Sequence, residues 1–209
     1  MKRIQLLVCA VLVCIASSAL AQTPSVPIPP PNSDQARGRI AETLTKDVTA
    51  AEKLYAETSS TLKIAGLGLN GNTSYEEIRS CGFYPQESRL ECVVEIKRPG
   101  GYGGPIGSAG TFEFVGFYVD FGGGWTYVGS GIVHITDGSG GTNFAVYRDW
   151  NPPGGLRTSN SGGSTTTTTS GPILKARARL QWAFPTTSAT SPIIWGNTFD
   201  FAIRMMPVR

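Results

Sequence analysis

Apolar and polar residues alternate with a period of two in three stretches of the chain. Leu90, Cys92, Val94 and Ile96 alternate with Arg89, Glu91, Val93, Glu95 and Lys97. Leu174, Ala176, Ala178, Leu180, Trp182 and Phe184 alternate with Lys175, Arg177, Arg179 and Gln181. Phe199, Phe201, Ile203 and Met205 alternate with Thr198, Asp200, Ala202 and Arg204. The pattern predicts strands with one buried and one solvated face. The stretch FEFVGFYVD, residues 112–120, is apolar on both faces. It predicts a central strand whose second face is covered, with an N-terminal helix as a candidate cover. That helix is predicted over 35–59, where Ile40, Leu44, Val48, Ala51, Leu54 and Tyr55 recur at helical spacing. Ser33 or Asp34 can cap its start. The apolar stripe is narrow, so the helix packs either on the domain that follows or on a partner.

The N-terminus changes the compartment. Lys2 and Arg3 precede the apolar run LLVCAVLVCIA, and small residues lead to Ala21. Residues 1–21 read as a secretory signal peptide, with a run too short for a membrane anchor. Residues 22–34, with five prolines, read as an extended linker. The expected domain map is then signal peptide 1–21, linker 22–34, helix 35–59 and β-sandwich 60–209. The expected location is secreted: extracellular, at the cell surface or in the periplasm, with no transmembrane segment in the mature chain. Two of the three net positive charges (+3 at pH 7) sit at Lys2 and Arg3. The exported chain is therefore near neutral and gives no reason to expect nucleic acid as a partner. GGSTTTTTSGP, residues 162–172, is a low-complexity loop.

Export also changes the cysteines. Cys81 and Cys92 remain after leader removal, in a compartment where disulfides persist. If SYEEIRSC and RLECVVEIK pair antiparallel about Gln86 and Glu87, Cys81 lies directly opposite Cys92. A cross-strand bridge is then geometrically allowed, and it is the expected pairing.

The segment FVGFYVDFGGGWTYVGSGIVHITDG reads as strand, glycine turn, strand, with a kink at Gly129–Gly131. It resembles a recurrent segment of immunoglobulin-like modules of bacterial surface proteins, as does the hairpin ARARLQWAF with WGNTFDFAIRM. GNTSYEEIRSCGFYPQESRLECVVEIKRPGGYGG, FVGFYVDFGGGWTYVGS and PIIWGN are similar to a family of secreted bacterial β-sandwich proteins with no assigned activity. The resemblance covers about residues 70–204. It implies a mainly β protein: an antiparallel immunoglobulin-like β-sandwich carrying an N-terminal helix.

Candidate chemistry is sparse. His134 is the sole histidine. It lies in strand GIVHIT, sharing a face with Ile132 and Thr136, and reads as a strand residue. No serine sits on a recognisable nucleophile elbow that would complete a triad. One histidine and an oxidised cysteine pair fall short of a zinc site. Asp137, Ser139 and Asn143 offer oxygens for calcium, but they also make an ordinary turn. Glu76 and Glu77 are adjacent, hence on opposite faces of a strand, and Glu91 with Glu95 reads as a solvated surface. GGYGGPIG, residues 100–107, lacks the Lys-Ser/Thr of a phosphate loop. Lys175, Arg177 and Arg179 form a basic strand face that Asp200 can neutralise.

What remains is aromatic. Tyr102, Trp125, Tyr127 and Trp150 lie in or beside Gly- and Pro-rich loops and are the candidate ligand-binding residues. Trp182, on a strand's apolar face, is expected in the core, and Trp195 is expected to pack in the turn before the last strand. No catalytic residue, metal ligand or cofactor is assigned. The expected role is non-enzymatic adhesion, assembly or binding at the cell surface, with a protein or a glycan as partner, self-association included. The alternatives are a glycan-binding module using the loop aromatics, and a hydrolase on a sandwich scaffold.

Overall fold

The computed structural model describes residues 33–64, 69–103, 110–153 and 172–205. The leader 1–21, the linker up to residue 32 and almost all of the loop 162–172 lie outside the described residues. Among the described residues two helices, α1 (Ser33–Leu44) and α2 (Val48–Ile64), precede seven strands. These are β1 (Glu76–Tyr84), β2 (Arg89–Ile96), β3 (Thr111–Asp120), β4 (Trp125–Ile135), β5 (Thr142–Asp149), β6 (Ile173–Trp182) and β7 (Thr198–Arg204). They form two antiparallel sheets, of order β1-β2-β5 and β4-β3-β6-β7.

Inward positions follow the period-two pattern. Leu90, Cys92, Val94 and Ile96 of β2 face Val115, Phe117 and Val119 of β3, and Ala176, Ala178, Leu180 and Trp182 of β6 across one apolar core. β3 is central, as its composition predicts, lying between β4 and β6. A bulge opposite Phe117 and Tyr118 leaves Val128 as the extra residue of β4.

The helical region departs from the single helix of 35–59. It breaks after Leu44, where the amides of Lys46 and Asp47 both bond the Thr43 carbonyl. Asp47 then caps α2, its Oδ1 accepting the Ala50 amide at 3.0 Å. A short acid at this position competes with helical continuation by offering an N-cap. The break takes Val48 off the buried stripe, leaving it 61% exposed, while Ile40, Ala51 and Tyr55 are buried. The pair packs on its own domain: Tyr55 meets Phe184 edge-on and lies 5.9 Å from the Trp195 ring.

The polar face of β6 is the second departure. Arg177, Arg179 and Gln181 are buried rather than solvated. The segment 183–195 folds over Arg177 and Arg179 and over Gly116 and Tyr118 on the outer face of β3, where a helix was the expected cover, while Tyr55 of α2 bonds Gln181. Arg177 binds Asp200 through two bonds of 2.6 and 2.7 Å and donates to the Ala189 carbonyl. Arg179 donates to the Ser188 and Ser191 carbonyls, and the Tyr118 hydroxyl donates to Thr186 O. A Ser/Thr-rich loop can cover arginines because its own carbonyls accept their terminal N–H groups, although Arg179 Nε is left without a partner.

The sheets also meet along their sides. A Cβ on Gly131 of β4 would lie 2.5 Å from the Tyr147 carbonyl oxygen of β5, and one on Gly129 would lie 2.5 Å from Arg148 Nε. Only glycine permits that approach. On the opposite side, the Asn197 side chain accepts from the Ile78 amide and donates to the Ile78 carbonyl, tying β1 to the start of β7.

Cys81 and Cys92 are register partners in β1 and β2 and form a disulfide. Thiol titration of denatured, non-reduced protein lacking residues 1–21 is expected to find close to no free thiol. Two thiols per chain would mean that the bridge does not form.

Candidate functional site

Two places gather polar chemistry. The first is sealed at the end of the sandwich where α1 docks. Arg37 projects from α1 and makes two bonds to Glu76, Nη1 to Oε1 at 2.7 Å and Nη2 to Oε2 at 2.8 Å. Its Nε donates to the Gly101 carbonyl at 3.2 Å. Glu113 of β3 lies against the same guanidinium at 3.5 Å, yet neither of its oxygens has a hydrogen-bond partner. All three side chains are 0% exposed. The guanidinium carbon lies 4.0 Å from the Tyr75 ring centroid and 4.2 Å from that of Trp182. Tyr102 and Trp195 complete the surround at 5.1 and 5.8 Å.

Burial pushes both carboxyls above the ordinary range, Glu113 the further of the two. Arg37 opposes the rise through a bidentate bond at Glu76, but only through a long contact at Glu113. The Glu76 charge adds to the rise at Glu113. Two carboxylates beside one cation cannot both ionise cheaply in a dry site, so Glu113 is the member that keeps its proton to higher pH. The pair converges as catalytic carboxylates do, but in the interior, out of reach of a substrate.

The second place is open. A groove of about 450 Å³ runs over the β1–β2 hairpin, lined by Ser80, Gly82, Tyr84, Glu87, Arg89, Glu91 and Val93 among others. Gly82 has open space where a side chain would stand, which hollows the floor, and the disulfide fixes the two strands beneath. Tyr84 is half exposed. Arg89 bonds Asp149 at 3.1 Å and lies 4.2 Å from the Tyr147 ring centroid. Tyr147 and Asp149 border a second groove of about 340 Å³ between β4 and β5. The two hollows therefore share the ridge Arg89–Tyr147–Asp149.

The structure scatters the four loop aromatics. Tyr102 is fully buried, its hydroxyl donating to Tyr75 O at 2.8 Å. Trp150 is also buried, packed edge-on against Phe83. Neither presents a surface to a ligand: both rings are turned into the core. Trp125 is half-buried, 4.4 Å from the Arg177 guanidinium. Tyr127 is 38% exposed and contacts Tyr118 and Ser130. His134 is exposed on β4 opposite Phe112, with ring centroids 5.0 Å apart. Asp137 is turned to the loop before β3, its Oδ1 accepting the Tyr102 amide at 2.9 Å. No group of three or more His, Cys, Asp or Glu gathers as a metal site among the described residues.

The fold defines a two-sheet antiparallel β-sandwich closed at one end by a helical pair. No protein-family model matches the chain, and no curated protein sequence matches it. Among solved structures it is similar to a β-glucosidase from Kluyveromyces marxianus in complex with glucose, at 13% identity and a TM-score of 0.30. A selenomethionine-labelled structure of β-glucosidase from the same organism is similar at 14% identity and a TM-score of 0.30. Each match covers 64% of this chain but 15% of the enzyme. A likeness of that extent carries no argument about activity. No helix among the described residues is long and apolar enough to cross a membrane.

Proposed function

We propose that this is a secreted, non-catalytic binding module of the cell surface, and that its ligand lies in the groove over the β1–β2 hairpin. The observation that carries the reading is the groove's composition. Half-exposed Tyr84 stands in it beside Arg89, Glu87 and Glu91, on a floor hollowed at Gly82, and half-exposed Tyr147 stands on the adjoining ridge. Exposed rings beside charged hydrogen-bonding groups suit a saccharide, whose faces stack and whose hydroxyls both donate and accept. The shared ridge with the second groove favours an extended ligand over a single ring. The likeness to immunoglobulin-like surface modules supports the same reading at the level of compartment. The buried state of Glu76 and Glu113 argues against the hydrolase alternative.

A glycan array with the protein lacking residues 1–21 tests this. Tyr84→Ala and Arg89→Ala are each expected to weaken binding about tenfold or more, with stability changed by no more than about 1 kcal/mol. Loss of binding through Tyr127→Ala instead would move the site to the β3–β4 hairpin. Hydrolysis of an arrayed glycan would restore the enzyme reading. Self-association at micromolar concentration without glycan binding would favour assembly.

A further inference from the structure

We propose that the end of the sandwich bounded by Glu76, Glu113, Tyr75, Tyr102, Trp182 and Trp195 is a guanidinium-binding site, which the chain fills with its own Arg37. The walls all belong to the β-domain or the loops between its strands, and the cation arrives from α1, a separate element. What they present matches a planar fork rather than a point charge. Glu76 takes two parallel N–H bonds at 2.7 and 2.8 Å, and the Gly101 carbonyl takes Nε at 3.2 Å. Ring faces lie at 4.0 and 4.2 Å from the guanidinium carbon. Guanidinium is weakly hydrated and stacks on aromatic faces, whereas an ammonium is strongly hydrated and has no planar fork to set two parallel bonds on a carboxylate.

A second observation separates this site from an ordinary internal ion pair. Arg37 leaves one of its two acids under-used. Both Glu113 oxygens are fully buried without a hydrogen-bond partner, with Oε1 standing 3.5 Å from Arg37 Nη2. A cage with an acid that the resident side chain approaches but does not bond is a receptor only partly satisfied by that side chain. Once Arg37 is cut back, a free guanidinium compound can enter and engage both acids.

The test is chemical rescue in the protein lacking residues 1–21. Arg37→Ala is expected to melt several degrees below wild type. Millimolar methylguanidinium should raise its melting temperature saturably, as a ligand specific to the folded state does, while methylammonium and sodium chloride should not. Wild type, already filled, should not respond. The double variant Arg37→Ala/Glu76→Gln should lose the response. An equal response to methylammonium, or a response in wild type, overturns the proposal. If Arg37→Ala does not fold unaided, its refolding yield with methylguanidinium against methylammonium gives the same comparison. Arg37→Lys supplies an independent check: it is expected to melt below wild type, and a melting temperature equal to wild type would show that charge alone is read there.

Discussion

Glu76→Gln is expected to cost the fold about 3 kcal/mol, in the range for breaking one side of a buried ion pair. Glu113→Gln is expected to cost nothing at pH 5 and to stabilise at pH 8. Glu76 holds Arg37 by two short bonds, and its loss leaves only the raised acid Glu113 beside the guanidinium, at 3.5 Å and without that geometry. Glu113 behaves in the opposite way because burial and the neighbouring Glu76 charge raise it well above the usual 4.5. A raised carboxyl contributes fully below the unfolded value. Above about pH 4.5 the unfolded chain releases the proton while the folded chain keeps it, so stability falls as pH rises toward the folded value. A neutral amide at 113 removes that fall. Urea denaturation of wild type and both variants at pH 5 and pH 8 measures the effect. Equal losses for the two substitutions, or a wild type whose stability rises over this interval with no contribution traceable to Glu113, would contradict the assignment.

Trp182→Ala is expected to destabilise by about 3–5 kcal/mol, the cost of deleting a large buried aromatic. The indole is fully buried, donates to Thr111 Oγ1 at 2.9 Å, meets Trp195 edge-on at 5.2 Å and forms one wall around Arg37. Removing it opens a cavity and leaves the guanidinium less enclosed. Trp125→Ala removes a ring of similar size that is half in solvent and stacked on Arg177, and about 1 kcal/mol is expected there. Denaturation followed by near-ultraviolet circular dichroism distinguishes the two. Similar losses would mean that the β3–β4 hairpin is as deeply packed as the core.

β2, β6 and β7 were legible because their sequences alternate with period two. Residues 90–96 bury alternate side chains as their spacing predicts, and Cys81 meets Cys92 in the register that a turn about 86 and 87 requires. The break at residues 45–47 was missed because the apolar spacing runs through it; the signal was Asp47, a capping residue amid Thr43, Thr45 and Thr49. The β6 face was misread because alternation reports polarity and not exposure. Three charged or amide side chains look solvated until a distant loop supplies carbonyls for them, and loop placement has no local period. The buried cluster had a readable sign. Glu113 shares the parity of Val115, Phe117 and Val119, Glu76 that of Ile78, and Arg37 stands one turn before Ile40. Charged residues at inward positions of three elements point to a common interior meeting place. The open groove had almost none, since it depends on Gly82 lacking a side chain beside Tyr84, and on which strand becomes the third in the sheet.

The glycine contacts along β4 bear on the protein's behaviour at high concentration. By bringing β4 against β5, Gly129 and Gly131 set the edge of one sheet beside the edge of the other, and Asn197 occupies hydrogen-bonding groups of β1 on the far side. Strand edges left open are where chains recruit one another into aggregates. A molecule that covers its margins in this way can accumulate to high concentration without templating cross-β growth. A bulkier residue at 131 is therefore expected to be felt first as precipitation.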